Sequence, residues 1–171
     1  SDPETGIGAW SDEEIAAAIR LGSVRGKGAE APVMPYYQYS GMANLDVLDL
    51  IAYLRTLPPV HRPNREPELS LPFPRVAFRV WQMLFAPRFE PPHEAPAQGV
   101  ERGRYLANHV SICGDCHTPR NSLGALEQDR LFAGTAHGPD GHPVPNITPD
   151  EETGVGSWDA ADLTQLLQSG M

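Results

Sequence analysis

Cys113-Gly114-Asp115-Cys116-His117 is the stretch that decides how this chain is read. Two cysteines one helical turn apart, followed at once by histidine, are what covalent haem attachment requires. On a helix, positions i and i+3 share a face and i+4 lies beside them, so both thiols reach the haem vinyl groups while the imidazole comes under the iron. The spacing therefore predicts Cys113 and Cys116 as covalent haem attachment points and His117 as an axial iron ligand.

Three other readings compete. A thioredoxin-like redox pair should follow an apolar strand and open a helix, whereas this motif follows a helical pattern and runs into Thr118-Pro119. Structural zinc could recruit both cysteines with His109, His137 or His142, but no second closely spaced ligand pair completes such a site. A disulfide across a two-residue gap closes too small a loop to stabilise much.

The chain also resembles itself at an offset of 148 residues. Glu4-Thr5-Gly6-Ile7-Gly8-Ala9-Trp10 recurs as Glu152-Thr153-Gly154-Val155-Gly156-Ser157-Trp158, and Gly22 recurs as Gly170. Each copy carries the same signals for starting and ending a helix. Ser11 and Glu14 form a predicted capping box, with Trp10 stapled to Ile15; Asp159, Asp162, Trp158 and Leu163 take those places in the second copy. Gly22 and Gly170 suit the left-handed residue that closes such helices. Parts of two equivalent units are thus expected: the later part of one and the earlier part of the next.

Beyond the first copy, Pro32-Val33-Met34-Pro35-Tyr36 is a proline-stiffened segment able to hold a thioether rigidly. Beside a haem repeat, Met34 reads as the sixth ligand of the first unit's iron, while Met42, next to a helix start, reads as core filling. Val47, Leu50, Ile51, Leu54 and Leu57 recur at helical steps until Pro58-Pro59 stops them. Gly103, Tyr105, Leu106 and Val110 mark another helix, in which Gly103 is expected to leave room for a partner. A further amphipathic helix is expected over 74–86, with Phe73, Val76, Ala77, Val80, Trp81, Leu84 and Phe85 on one face and Arg75, Arg79 and Gln82 off it. That face is expected to pack between the haem domains or on a partner subunit in preference to a membrane surface.

On these residues the chain resembles the multi-haem class I cytochrome c subunits of bacterial membrane-associated dehydrogenases for alcohols, sugars or sugar acids. The likeness runs through Pro32 to Tyr36, Tyr39-Ser40-Gly41-Met42, Tyr53-Leu54-Arg55, Leu71-Pro72-Phe73-Pro74, Cys113 to Asn121, and Asn146-Ile147-Thr148-Pro149. It implies a mainly α, class I cytochrome c fold as parts of two tandem domains with long irregular loops. The expected division is 1–60 for the end of the first domain, 61–98 for a proline-rich linker, and 99–171 for the start of the second. It also implies haem c with His117 and Met34 on different irons, and a periplasmic location associated with the cytoplasmic membrane. Electrons would pass from a dehydrogenase catalytic subunit to quinone or to an oxidase or cytochrome acceptor. A permuted single domain with Met34 facing His117 is the structural alternative, although two Trp segments would then compete for one place.

Composition adds bounds. A net charge of −9 disfavours nucleic acid, and 18 prolines in 171 residues, near twice the usual ~5%, predict that loops dominate. No apolar run approaches the ~20 residues of a spanning helix. Iron held by His and Met on both sides has no open position for substrate, so an electron carrier is expected and not an enzyme. Trp10 and Trp158 could each donate an indole N–H to a haem propionate. The rival functions are a peroxidase-like haem domain with open iron and a structural zinc module.

Overall fold

The computed structural model describes residues 1–65, 73–138 and 141–170. Its elements are mainly helical: α1 (Asp12–Leu21), a two-stranded hairpin of β1 (Ser23–Val24) and β2 (Gly28–Ala29), α2 (Tyr36–Tyr39), α3 (Asn44–Thr56), α4 (Pro74–Phe85), α5 (Gly99–Tyr105) running into a π-helical turn at Leu106–Val110, α6 (Cys113–His117), a 3₁₀ turn at Gln128–Arg130, and α7 (Ala160–Ser169). They gather into two compact units, Ser1–Ile112 and Cys113–Met171.

The first unit is built on α1 against α3. Ile15 of α1 meets Met42, Val47 and Ile51, with Ile7, Trp10, Ala16, Ile19, Tyr39 and Leu50 around them. Apolar residues at helical steps bury one stripe of each helix, and that burial is the main stabilising term. Met42 packs as expected. Two arginines register the helices: Arg20 at the end of α1 donates to Asn44 Oδ1 and the Met42 carbonyl, and Arg55 near the end of α3 donates to Asp12 and the Trp10 carbonyl. α1 and α3 are therefore antiparallel.

α3 lacks a side-chain cap. The N–H groups of Asn44 and Leu45 are instead taken by the carbonyls of Pro92 and His93, at 2.9 and 3.2 Å, from a segment remote in sequence. The helix stops at Thr56, with Leu57 extended before Pro58-Pro59, as the periodicity predicted. Gly22 serves twice: it closes α1 with φ of +56°, and a Cβ there would lie 2.5 Å from the buried Tyr36 ring.

The two repeat copies have the same local structure. Asp2 Oδ1 accepts from Glu4 N, Thr5 N and Thr5 Oγ1 at 3.1, 2.7 and 2.8 Å; Asp150 Oδ1 accepts from Glu152 N, Thr153 N and Thr153 Oγ1 at 3.2, 2.7 and 2.8 Å. The Thr backbone N–H first, then its hydroxyl, holds each aspartate below the usual carboxylate range. Both capping boxes form, and Gly22 and Gly170 are both left-handed. Burial differs: α1 buries Ile15, whereas Leu163 in the matching place is only half-buried, because among the described residues the second unit offers α7 no counterpart of α3.

α5 lies within the compact unit Ser1–Ile112. One sequence expectation changes. Gly103 faces open space and receives no partner helix; the contact is made two residues later. The buried Tyr105 hydroxyl accepts from Ala43 N at 3.0 Å and donates to Asp46 Oδ2. Burial, then the Asp46 hydrogen bond, pushes the Tyr105 phenol up. Tyr105→Phe is expected to leave the Ala43 N–H unpaired and to cost about 1–3 kcal/mol, read as a lower urea midpoint with faster amide exchange at Ala43.

Nearby, His109 in the π turn sets Nδ1 2.8 Å from the Gln38 carbonyl, and Phe89 meets its ring edge-on at 4.8 Å. Gly41 is what admits the ring, since a Cβ there would lie 2.3 Å from His109 Cε1.

Candidate haem site

In the second unit the Cys-x-x-Cys-His residues form the single helical turn α6. Both cysteines are free thiols, Cys113 half-buried and Cys116 exposed. Ile112, just before it, has φ of +47°, costly for a β-branched residue, so the sharp entry into α6 is held by its surroundings.

Among the described residues, His117 is oriented by a backbone carbonyl. Its Nδ1 lies 2.8 Å from the Pro145 carbonyl, which can only accept, so Nδ1 carries the proton and Nε2 keeps its lone pair. A ring nitrogen fixed in this way is suited to bind a metal through the other nitrogen. The segment carrying Pro145 is held by the bridge of Thr135 to Val144 and by Ile147 N donating to the Phe132 carbonyl at 2.9 Å. Gly134 permits the approach: it has φ of +74°, its N–H donates to the His117 carbonyl at 2.7 Å, and a Cβ would stand 2.6 Å from Asn146 N and 2.7 Å from Val144 O.

The other side of α6 is anchored by Thr118 and Arg120. The buried Thr118 hydroxyl accepts from Phe132 N at 3.1 Å. Arg120 donates to Asp115 Oδ1 at 2.7 Å, to the Asp115 carbonyl and to the Gly124 carbonyl, joining α6 to the following turn. Sequence reasoning did not single out Pro145, Gly134, Thr118 or Arg120. Only the fixed spacing from the motif to Arg120 could have been noticed.

The remaining expected residues are elsewhere. Met34 lies in the first unit, on a turn closed by Met34 N to Ala31 O and Tyr36 N to Met34 O, with its side chain half-exposed. Trp10 packs against the Ile15 cluster, as its staple role predicted, while Trp158 is more open at 42% exposure. Among the described residues neither indole N–H has a hydrogen-bond acceptor.

His109, His137 and His142 do not assemble a zinc site: among the described residues no three His, Cys, Asp or Glu side chains converge on a common point. A cavity beside α6, lined by Asp115, Cys116, Thr118, Arg120, Thr135 and His137, holds about 80 Å³, too little for a macrocycle. The larger groove, about 680 Å³ in the first unit, has no cysteine or histidine in its wall. Cys116 is exposed, and among the described residues His117 Nε2 has no hydrogen-bond partner, so both would be available to such a macrocycle.

No family model matches the chain. Among curated proteins it is 37% identical to a diheme cytochrome c-type protein of Cereibacter sphaeroides, over 99% of this chain and 56% of that protein. It is 38% identical to the fructose dehydrogenase cytochrome subunit of Gluconobacter japonicus, over 96% of this chain and 34% of that protein. The chain is homologous to these c-type cytochromes. A third homologue, the gluconate 2-dehydrogenase cytochrome c subunit of Pantoea cypripedii, is 33% identical over 99% of this chain and 41% of its own length. The chain thus spans about half the length of the first c-type cytochrome and a smaller share of the other two. The homology implies covalently bound haem c and its iron, a group that free thiols one turn apart and an Nδ1-anchored histidine fit.

Proposed function

We propose that this c-type cytochrome homologue relays electrons between a dehydrogenase catalytic subunit and quinone or a terminal oxidase or cytochrome, on the periplasmic side and in association with the cytoplasmic membrane. The observation that carries the reading is the Nδ1 of His117 committed to the Pro145 carbonyl, on the same helical turn as two free thiols. Haem c, when bound, supplies a one-electron ferric/ferrous couple. Cys113 and Cys116 would form its thioether links, and His117 would ligate through Nε2. The Pro145 carbonyl stops the imidazole from rotating and, by accepting its other proton, increases its basicity.

Met34 would serve the first unit's iron, its thioether held by the Pro32–Pro35 turn and favouring a high reduction potential. Its separation from His117 into another compact unit supports two haem domains, each using one of these ligands. The indole N–H groups of Trp10 and Trp158 would suit propionate oxygens. The names of the relatives, cytochrome subunits of fructose and gluconate dehydrogenases, support a dehydrogenase partner. Among the described residues no helix is long and apolar enough to cross a membrane, so any association with the bilayer would rest on other contacts.

The test is the absorption spectrum of the chain matured with haem. A sharp reduced α-band is expected from the haem joined to Cys113 and Cys116, and Met34→Ala should leave it unchanged, because Met34 serves the other iron. Turnover of hydrogen peroxide by that haem would favour haem catalysis instead, and a colourless zinc protein would end both haem readings.

A further inference from the structure

α4 divides its apolar residues in a way that the fold itself does not use up. Its inner side is docked on the first unit: Trp81 meets Tyr37 and Phe85 with ring centroids 5.9 Å away in each case, and the buried Gln82 donates to the Leu21 carbonyl at 3.2 Å. Arg75 adds a hydrogen bond of 2.8 Å to the Ala29 carbonyl. The helix is therefore fixed in place by one face.

Phe73, Val76, Val80, Met83 and Leu84 occupy the opposite side, within roughly a 100° arc, and are between 49% and 81% exposed. A contiguous apolar stripe of this size on a docked helix marks an interaction surface. Charge decides between occupants. From Phe73 through Phe89 the sequence holds Arg75, Arg79 and Arg88 and no acidic residue, in a chain whose net charge is −9; the flanking acids are Glu68 and Glu90. Arg79 borders the stripe at Met83, one turn away; the residue is exposed, and its guanidinium donates to Gln82 Oε1 at 3.2 Å, which leaves Arg88 as the exposed cation beyond the end of the helix.

We infer that the Phe73–Val76–Val80–Met83–Leu84 stripe lies on the surface of an anionic phospholipid bilayer, the helix parallel to the membrane with Arg88 at the headgroups. The inference rests on the membrane association in the proposed function and names the surface responsible. Local positive charge on a strongly acidic chain matches anionic lipid, and five apolar side chains on a short helix give reversible attachment without spanning.

The experiment is co-sedimentation of the haem-loaded chain with vesicles of phosphatidylcholine containing about one third phosphatidylglycerol. The chain is expected in the pellet, and Val80→Glu with Leu84→Glu is expected to lower its partitioning at least tenfold with an unchanged haem spectrum. Arg88→Glu should weaken the preference over pure phosphatidylcholine vesicles. Equal pelleting of the wild type and the double-Glu variant overturns the inference, as does wild-type chain remaining in the supernatant. So does capture of a dehydrogenase catalytic subunit by this stripe without vesicle binding. Because haem absorbance is read in the same fractions, a coloured chain that stays in solution refutes the surface alone. A pale chain that pellets supports the surface and refutes the electron-carrier reading.

Discussion

Chain matured with haem but carrying serine at both Cys113 and Cys116 is expected to lose the mass of one porphyrin and all covalently retained colour from the second unit. The effect is all or none, because a hydroxyl does not form the thioether that a vinyl group and a thiol make, and no other cysteine exists in the sequence to substitute. His117→Ala is a separate lesion. It leaves both thiols on α6, so porphyrin mass should persist, while the Nε2 ligand is lost and the visible spectrum changes. Intact protein mass and the visible spectrum together separate the two. Retention of porphyrin mass by the double-serine protein would show that attachment lies elsewhere.

Gly134→Val should have the second largest effect, with no change to any ligand. At φ of +74° a β-branched residue is strained, and its Cβ would overlap backbone atoms of Val144, Pro145 and Asn146 at 2.6 to 2.7 Å. Those are backbone contacts, so no flexible side chain can give way; the segment carrying the Pro145 carbonyl must move. We expect a loss of roughly 3 kcal/mol or more in the second unit, seen as a lowered thermal midpoint. The His117 ring would also lose its anchor, so the potential of the attached haem should shift even in the fraction that remains folded. A Gly134→Val protein with normal stability and an unshifted potential would mean that the Pro145 contact does not position His117.

The two predictions differ in how legible their basis was. The proposed covalent attachment and axial ligation use side-chain chemistry, and the reading rests on the type and spacing of Cys113, Cys116 and His117. The capping boxes at Ser11 and Asp159, the left-handed glycines and the end of α3 before Pro58 were legible for a similar reason: each is a local interaction between residues a few positions apart. The α4 helix was legible as a helix, but its faces were not. Gln82 was read as lying off the apolar side, yet it is buried, because the Leu21 carbonyl and the Arg79 guanidinium satisfy its amide. Val76, Val80 and Leu84, read as sharing one face with Trp81 and Phe85, are open to solvent.

Sequence alone therefore determined which residues are proposed to hold a haem, where several helices begin and end, and that the Trp-containing segment occurs twice, since these follow from residue identity at short range. Tertiary structure alone decided that a proline carbonyl 28 residues downstream of His117 sets its protonated nitrogen, that Gly41 makes room for His109, and that Tyr105 and not Gly103 joins α5 to the first unit. The physical reason is that every residue but the chemistry-bearing few offers the same carbonyl, the same N–H or the same missing Cβ. Which of them matters is fixed only when folding brings distant segments within hydrogen-bonding distance.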